Sequence, residues 1–148
     1  MKIYIGADHN GFDLKAELGE YLSSLGYDVV DEGDKTLNPE DDFPKYAGRV
    51  VSAMLTSDDS TAKGILICGS GQGMVMAANR FKGIRASICW DIDEAFLSRN
   101  DDDSNVLCLS AKKTNWREME KIIQLWLSTP FEHADRFIRR IEELDRIG

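Results

Sequence analysis

A thiol, a hydroxyl and three glycines follow one another where an apolar run of this 148-residue chain ends. The run at 64–68 is typical of a buried strand, and residues 74–80 suit the helix that would follow it. A strand–glycine loop–helix turn leaves backbone N–H groups free at the helix N-terminus, where an anion or a developing oxyanion is stabilised. The same environment favours the thiolate of Cys68, which could act as a general base or as a nucleophile. Cys68, Ser70 and the loop Gly69–Gly73 are therefore predicted to form a catalytic site.

The glycine spacing of this loop disfavours two common nucleotide-binding motifs. Gly69–Gly73 follows the third apparent strand and matches neither GxGxxG nor a P-loop ending in Gly-Lys-Ser/Thr. A tight turn that needs positive φ is the structural alternative, since glycine adopts that conformation at little cost. Nucleophilic catalysis of the Cys/His type would need a histidine base, and neither His9 nor His133 lies in a recognisable hydrolase motif.

Two further groups of polar residues could bind a ligand. Asp8 and His9 close the first apparent strand, where a carboxylate could hold a sugar hydroxyl and an imidazole a phosphate. A helix N-cap and a loop histidine are the alternatives. In the last predicted helix, Arg136 and Arg140 have the i, i+4 spacing that places both on one face. Paired arginines suit phosphate oxygens, and salt bridges with nearby surface acids are the alternative.

The elements that position these residues alternate along the chain. Strand-like runs lie at 2–6, 27–31, 64–68, 84–88 and 105–109, and helical patterns lie at about 11–25, 44–57, 72–80, 91–100, 114–127 and 134–146. This alternation predicts an α/β fold: one doubly wound, Rossmann-like domain over residues 1–148, with a mostly parallel five-stranded sheet and a C-terminal helix. Ligands of such folds gather outside the carboxyl ends of the strands. We therefore expect Asp8–Gly11, the Cys68 loop and Trp90–Glu94 to converge there.

The composition is that of an ordinary globular protein. A net charge of −8 argues against a nucleic-acid partner, but a few local cations could still hold an anionic substrate. No window has the ~18 uninterrupted apolar residues of a membrane span, and no signal-peptide pattern is found, so a cytoplasmic location is expected. Three cysteines without zinc spacing fit a reducing compartment, and Cys89 and Cys108 are interpreted as buried strand residues. The acidic segment Asp31–Asp42 is interpreted as a solvated loop.

Taken together, these residues resemble the ribose-5-phosphate isomerase B family, which includes the galactose-6-phosphate isomerase subunits. The resemblance covers essentially the whole chain, and its ordered matches are more specific than any single motif. In chain order, the matching segments are Gly6–Phe12, Asp42–Ala47, Gly64–Gly73, Ala77–Arg80, Gly83–Ala86, Leu97–Arg99, Ser104–Leu107 and the Arg136/Arg140 pair.

The resemblance implies aldose–ketose isomerisation of a phosphorylated sugar through an enediolate, with no metal and no cofactor. Cys68 would move a proton between neighbouring carbons as the general base, and Ser70 would assist proton movement between the oxygens. The implied substrate-binding set is Asp8 for sugar hydroxyls, His9, Arg136 and Arg140 for the phosphate, Lys112 at a phosphate-side position, and the N–H groups of Gly69, Gly71, Gln72 and Gly73 for the enediolate. Family members dimerise with active sites built from both subunits, so a homodimer or a dimer of dimers is expected.

Three positions depart from the family's pattern. Asp101 and Asp102 stand where many members have the ring-opening histidine and a substrate-binding asparagine, and Phe43 stands where tyrosine is frequent. A carboxylate is a poorer proton donor at neutral pH than histidine. These departures favour another sugar phosphate, for example a tetrose phosphate that cannot cyclise onto its phosphorylated carbon. The usual activity would be kept if Asp101 were easily protonated or if His133 reached the site. A non-catalytic, sugar-phosphate-binding regulatory protein is the alternative function.

Overall fold

A computed structural model describes residues 1–148, and in it the chain forms a five-stranded sheet whose strand pairs are all parallel. The strands are β1 (Lys2–Ala7), β2 (Asp28–Asp31), β3 (Lys63–Cys68), β4 (Ala86–Ile88) and β5 (Val106–Ser110). The helices are α1 (Phe12–Ser24), α2 (Phe43–Leu55), α3 (Gln72–Ala78), α4 (Ile92–Asn100), α5 (Trp116–Ser128) and α6 (Asp135–Asp145), with a 3-10 turn at His9–Gly11. The predicted doubly wound α/β architecture is confirmed, and each predicted element lies within two residues of its expected bounds.

The strand order is β2-β1-β3-β5-β4. After β1 the chain moves to one side of the sheet and after β2 it crosses to the other, so the direction of winding reverses between β1 and β3. Loops that leave these two carboxyl ends diverge and open a crevice, which is the usual ligand site of such sheets. Asp8 and Cys68 therefore lie at one edge, on or directly after neighbouring strands.

Helices cover both faces of the sheet because successive strand side chains point to opposite sides. On one face, α1, α4 and α5 pack over a core that includes Ile5, Ile65 and Leu107. On the other face, α2 and α3 pack over a second core that includes Leu66 and Val106. Each fully buried Leu, Ile or Val contributes about 1.5–3 kcal/mol relative to exposure. No helix combines the length and the apolar character that crossing a bilayer requires.

The segment between α3 and β4 shows why both elements are two residues shorter than predicted. The Asn79 side chain donates to the Ala86 carbonyl at 3.0 Å and accepts from the Ala86 N–H at 2.8 Å. The Arg85 N–H donates to the side chain of Asn105 at 2.8 Å instead of to a neighbouring strand. Side chains thus satisfy backbone groups that the periodicity assigned to the helix and the strand.

Candidate active site

The Cys68 thiol lies at the carboxyl end of β3, at the start of the loop that leads into α3. Cys68 is 5% exposed, and its Sγ accepts a hydrogen bond from the Gly71 N–H at 3.1 Å. This bond holds the sulfur in place at the start of the loop. Gly71 has a φ of +80°, and a Cβ there would lie 2.6 Å from Cδ1 of Ile88. The turn therefore needs glycine both for its conformation and for space.

The N–H groups of this loop fall into two sets. The Gly71 N–H is used by the thiol, and the Gln72 N–H donates to the Ser70 hydroxyl at 3.2 Å. The N–H groups of Gly69, Ser70 and Gly73 donate to no atom of the chain. These three donors are free for an oxyanion. The N–H groups of Gly71 and Gln72, which the resemblance also implies for the enediolate, bond within the loop here, and their role toward a ligand stays a prediction.

Asp8 lies beside the Cys68 loop because β1 and β3 are neighbours. Its N–H donates to the Ile67 carbonyl at 3.3 Å. Its carboxylate is buried and accepts the Asn10 N–H at 2.9 Å as the cap of the 3-10 turn. Asp8 is therefore a cap residue, and it also lies at the carboxyl edge as expected. A carboxylate that accepts one N–H still has free lone pairs, so the cap leaves room for a ligand hydroxyl.

His9 is held by Asp41, a contact that the sequence did not indicate. One carboxylate oxygen of Asp41 lies 3.0 Å from the His9 backbone nitrogen and 2.7 Å from ring Nδ1. Ligand atoms of Asp8, His9 and Asp41 lie within 4.8 Å of one another, so this cluster has donors of a kind that bind metal ions. In this structure those donors bond to one another and to the backbone.

The interpretation of residues 31–42 as a solvated loop is wrong for several of its carboxylates. Asp31 binds the Lys15 ammonium through both oxygens at 2.9 Å, and Lys15 is only 3% exposed. Asp34 accepts the Tyr46 hydroxyl at 2.6 Å. These partners come from α1 and α2, 16 and 12 residues away along the chain. Nothing within the acidic segment itself reveals them.

Phe43, Lys112 and Asn10 complete the wall around the Cys68 loop. The Phe43 ring lies against Gly73, where a Cβ would approach a ring carbon to 2.7 Å. The Asn10 amide nitrogen and Lys112 Cε each lie 3.3 Å from the position of a Cβ on Gly69. Lys112 is exposed and forms no ion pair, so its charge is available to an anion at the loop. Asn10 is a site residue that the sequence did not single out.

The stretch Trp90–Glu94 approaches this group only through Trp90, whose ring centroid lies 5.6 Å from Nζ of Lys113, the neighbour of Lys112. It follows β4, which is separated from β3 by β5, so it lies about 10 Å further along the sheet edge. Its polar side chains serve α4 instead, since Asp91 accepts the Glu94 N–H and Glu94 accepts the Trp90 N–H, each at 2.8 Å.

Asp101 and Asp102 lie at the opposite edge of the sheet from Cys68. They belong to the connection from α4 into the amino end of β5, whereas Cys68 pairs with Ser110 at the carboxyl end of β5. Strands rise about 3.3 Å per residue, so the four steps from Val106 to Ser110 separate the two ends of the strand by about 13 Å. Within one chain, these acidic residues and the thiol cannot contact the same small molecule.

Arg136 and Arg140 belong to the Asp102 side of the molecule. Partial burial raises the pKa of the Asp102 carboxyl, and the charge of Asp101 raises it further, while nearby Arg140 opposes the shift. The Arg136 guanidinium lies 4.2 Å from the ring centroid of Phe137. Neither arginine takes part in a salt bridge, so the alternative of pairing with surface acids does not hold.

The loop that carries Asp101 and Asp102 is fixed by the residue that follows them. Asp103 has a φ of +46°, and its carboxylate oxygens accept from Arg99 at 2.7 Å and from Arg85 at 3.1 Å. Nε of Arg85 also lies 3.1 Å from the carbonyl oxygens of both Asp102 and Asp103. Two cations and a left-handed residue thus determine the path of this loop.

His133 also lies on the Asp101 side. The segment before it is tied to the end of α4, since the Glu132 N–H donates to the Asn100 carbonyl and the Asn100 amide donates to the Glu132 carboxylate, each at 3.1 Å. His133 itself has a φ of +60°, and its Nδ1 lies 2.8 Å from the Phe131 carbonyl oxygen. Within one chain it is therefore placed with Asp101 and away from Cys68.

The other two cysteines are structural, as the sequence predicts. Cys89 and Cys108 have no exposed surface, and burial raises the pKa of both thiols. Burial disfavours the charged form, so neither side chain is a proton acceptor at neutral pH.

The sequence and the fold are similar to those of known proteins over nearly the whole chain. A family model described as Ribose/Galactose Isomerase matches residues 3–144. A probable ribose-5-phosphate isomerase B from Mycoplasma pneumoniae is 42% identical over 142 residues, which cover 96% of this chain and 91% of that protein. A ribose 5-phosphate isomerase structure from Thermotoga maritima has a TM-score of 0.92 at 38% identity, covering 99% of this chain and 98% of that one. Ribose-5-phosphate isomerase B from Mycoplasma genitalium, solved with bound ribulose-5-phosphate, has a TM-score of 0.91 at 38% identity, covering 98% and 94%.

Proposed function

Since the chain belongs to the Ribose/Galactose Isomerase family, we propose that it interconverts ribose 5-phosphate and ribulose 5-phosphate or a closely related pair of sugar phosphates. The chain is an aldose–ketose isomerase, and the observation that carries the assignment of its centre is the Cys68 loop. That loop places a thiol, held by one N–H group, next to three N–H groups that have no other partner. A base beside an oxyanion-binding loop is what enediolate chemistry requires.

In the proposed mechanism, the Cys68 thiolate removes a proton from the carbon next to the carbonyl. The electron pair of that C–H bond forms the C=C bond of the enediolate, and the carbonyl oxygen becomes an oxyanion. The free N–H groups of Gly69, Ser70 and Gly73 stabilise this charge. The thiol then returns the proton to the neighbouring carbon, while the Ser70 hydroxyl transfers a proton between the two oxygens. Atoms and electrons balance without an external oxidant or reductant.

Substrate binding is proposed to use both edges of the sheet, on two different chains. Asp8 holds sugar hydroxyls, and His9 with Lys112 attracts the phosphate at the carboxyl edge. Arg136 and Arg140, which lie with Asp102 at the far side, come from a second copy of the chain. This arrangement is supported by the separation of about 13 Å along β5, which keeps the two groups apart within one chain. The proposed unit is therefore a homodimer, alone or within a dimer of dimers.

A short-chain sugar phosphate is a second candidate substrate because of Asp101 and Asp102. At neutral pH, ionised carboxylates are poor proton donors for opening a furanose ring, and a tetrose phosphate has no such ring to open. Partial burial and the charge of Asp101 raise the pKa of the Asp102 carboxyl, which favours Asp102 as a proton donor if the chain opens a ring.

The test compares Cys68→Ala with Cys108→Ala on tetrose, pentose and hexose phosphates. Cys108 is a matched control, since it is a cysteine of the adjacent strand and packs in the same core without reaching the site. We expect Cys68→Ala to lower kcat by at least about a hundredfold, the usual effect of removing a general base, and Cys108→Ala to keep the native rate. Full turnover by Cys68→Ala would refute the role of Cys68. The non-catalytic, regulatory alternative is not supported by the comparisons, and incorporation of solvent deuterium into the substrate is the direct measure of the proposed proton transfer.

A further inference from the structure

His9 is the end of a line of hydrogen bonds that runs into the acidic segment and α2. Its backbone N–H and ring Nδ1 contact one oxygen of Asp41, and the second oxygen of Asp41 accepts the Tyr46 hydroxyl at 2.9 Å. The same hydroxyl lies 2.6 Å from Asp34, which is also bound by Arg49 at 2.9 Å. Tyr46 is fully buried and the side chain of Asp41 is 6% exposed, so these hydrogen bonds lie in the protein interior and not on its surface.

The hydrogen bonds of Asp41 determine which atom carries the hydrogen between Asp41 and His9. Although burial opposes ionisation, the hydrogen bonds from His9 and Tyr46 hold the pKa of the Asp41 carboxyl below its usual value. An ionised carboxylate can only accept, so the hydrogen between Asp41 and His9 is on Nδ1. Nε2 lies on the far side of the ring, bonds to no atom of the chain, and belongs to a side chain that is 32% exposed. The ring is thus locked by one nitrogen and open to a ligand at the other.

Building on the proposed function, we propose that Asp41 is the positioning residue of the phosphate site: it holds the His9 ring through Nδ1–H so that Nε2 faces the substrate phosphate, to which the protonated ring donates a hydrogen bond from Nε2–H. Asp41 does not contact the substrate in this arrangement. Asp41 fixes the orientation of the ring and the tautomer of its neutral form, and its negative charge faces Nδ1–H.

The geometry distinguishes this role from mere anchoring of the acidic segment. Asp34 already fixes that segment through Tyr46, Arg49 and Lys15, whose ammonium donates to the Asp34 carbonyl at 3.0 Å. Asp41 makes three side-chain contacts, and two of them, both through one oxygen, go to a single residue, His9. A buried carboxylate is costly unless it is paired and hydrogen-bonded, and His9 supplies the pairing here.

The first test is the ring nitrogen spectrum of the two histidines. Long-range 1H–15N correlation at a pH where the ring is neutral should show His9 with Nδ1 protonated in the native protein. Asp41→Asn should lose this preference, because an amide can pair with either tautomer through its oxygen or its NH2 group. His133 is an internal reference, since its Nδ1 contacts the Phe131 carbonyl and not Asp41. A native His9 with Nε2 protonated would overturn the proposal without any variant.

The second test separates binding from chemistry. Because His9 contacts a part of the substrate that does not react, Asp41→Asn should raise KM by about ten- to hundredfold, the worth of a charged hydrogen bond, with kcat within about twofold. Inhibition by inorganic phosphate should weaken by the same factor. Asp34→Asn is the matched control, since it removes a carboxylate from the same line without touching His9. We expect its KM to stay within about twofold of the native value.

Two outcomes would overturn the proposal: an unchanged His9 spectrum with an unchanged KM in Asp41→Asn, or equal effects in Asp34→Asn and Asp41→Asn. Failure of the proposed function is a separate result. If no sugar phosphate were turned over, titration of the native protein with inorganic phosphate would still shift the His9 ring signals if His9 binds phosphate. Asp41→Asn would weaken that titration about tenfold if Asp41 positions the ring.

Discussion

Mixing two inactive variants should restore activity, because the two halves of the proposed site lie at opposite edges of the sheet. The first variant is Cys68→Ala, which damages the carboxyl edge. The second carries Arg136→Ala and Arg140→Ala, which damage the group beside Asp102. If each site combines the carboxyl edge of one chain with the arginines of its partner, a mixed dimer has one site with both defects and one intact site.

The size of the recovery follows from this geometry. Random exchange of equal amounts makes half of the dimers mixed, and each mixed dimer has one working site of two, so about one quarter of the native rate per chain should return. The separation of about 13 Å along β5 keeps Cys68 and the arginines of one chain apart, so on the proposed function each working site draws on two chains. At substrate concentrations below KM, neither parent alone should exceed about a hundredth of the native rate, since Cys68→Ala lacks the general base and the arginine variant lacks two charged contacts to the phosphate.

The assay is turnover of ribose 5-phosphate, or of the best sugar phosphate of the panel, after the variants have exchanged subunits. Differently tagged chains allow the mixed dimer to be isolated and its composition to be checked by native mass spectrometry. Cys68→Ala mixed with Ser70→Ala is the control, since both defects lie on the same loop and no site becomes intact. A verified mixed dimer with no gain over its parents would refute the shared site. Full activity of an isolated monomer would do the same.

Two further predictions concern the thiols and acid stability. Iodoacetamide should label one cysteine of the native protein, Cys68, and all three after denaturation, because burial raises the pKa of the Cys89 and Cys108 thiols. The number of labels is read from the intact mass. A second label on the native protein, added at a similar rate, would contradict this prediction. Hydrogen bonds from Tyr46 and Arg49 lower the pKa of Asp34 from 3.8 to about 2, so its stabilising contribution is complete above about pH 4 and is lost as the pH falls toward 2. Urea midpoints at pH 7, 4, 3 and 2 should show that decline, with a smaller drop in Asp34→Asn, and a midpoint that is equal at pH 4 and pH 2 would show that the carboxylate contributes nothing.

Sequence could predict those parts of the site whose geometry depends on residues that are neighbours along the chain. The apolar run before Cys68, the glycines after it and the helix that follows are neighbours along the chain, so their geometry is encoded in one segment. The same holds for Asp8, which caps the turn formed by the residues directly after it. Buried Cys89 and Cys108 follow from the apolar residues that surround them.

The parts that sequence could not predict depend on contacts between distant segments. The hydrogen bond between His9 and Asp41 joins residues 32 positions apart. The sequence of an acidic loop does not show whether its carboxylates face solvent or a partner. The strand order is likewise absent from the pattern of alternation, since insertion of β5 between β3 and β4 moves Trp90–Glu94 away from the loop. The sequence also could not show which N–H groups of Gly69–Gly73 are free and which are bonded, because their directions depend on individual backbone angles.

The anchoring of Asp103 has a consequence for how this protein can change over evolutionary time. Arg85 and Arg99 fix the loop through Asp103, and neither of these ion pairs involves the side chains at positions 101 and 102. On the proposed function, substitutions at these two positions would alter charge and proton donation at one edge of the sheet while the Cys68 loop at the other edge keeps its geometry. Substrate preference could then change over time without loss of the enediolate chemistry.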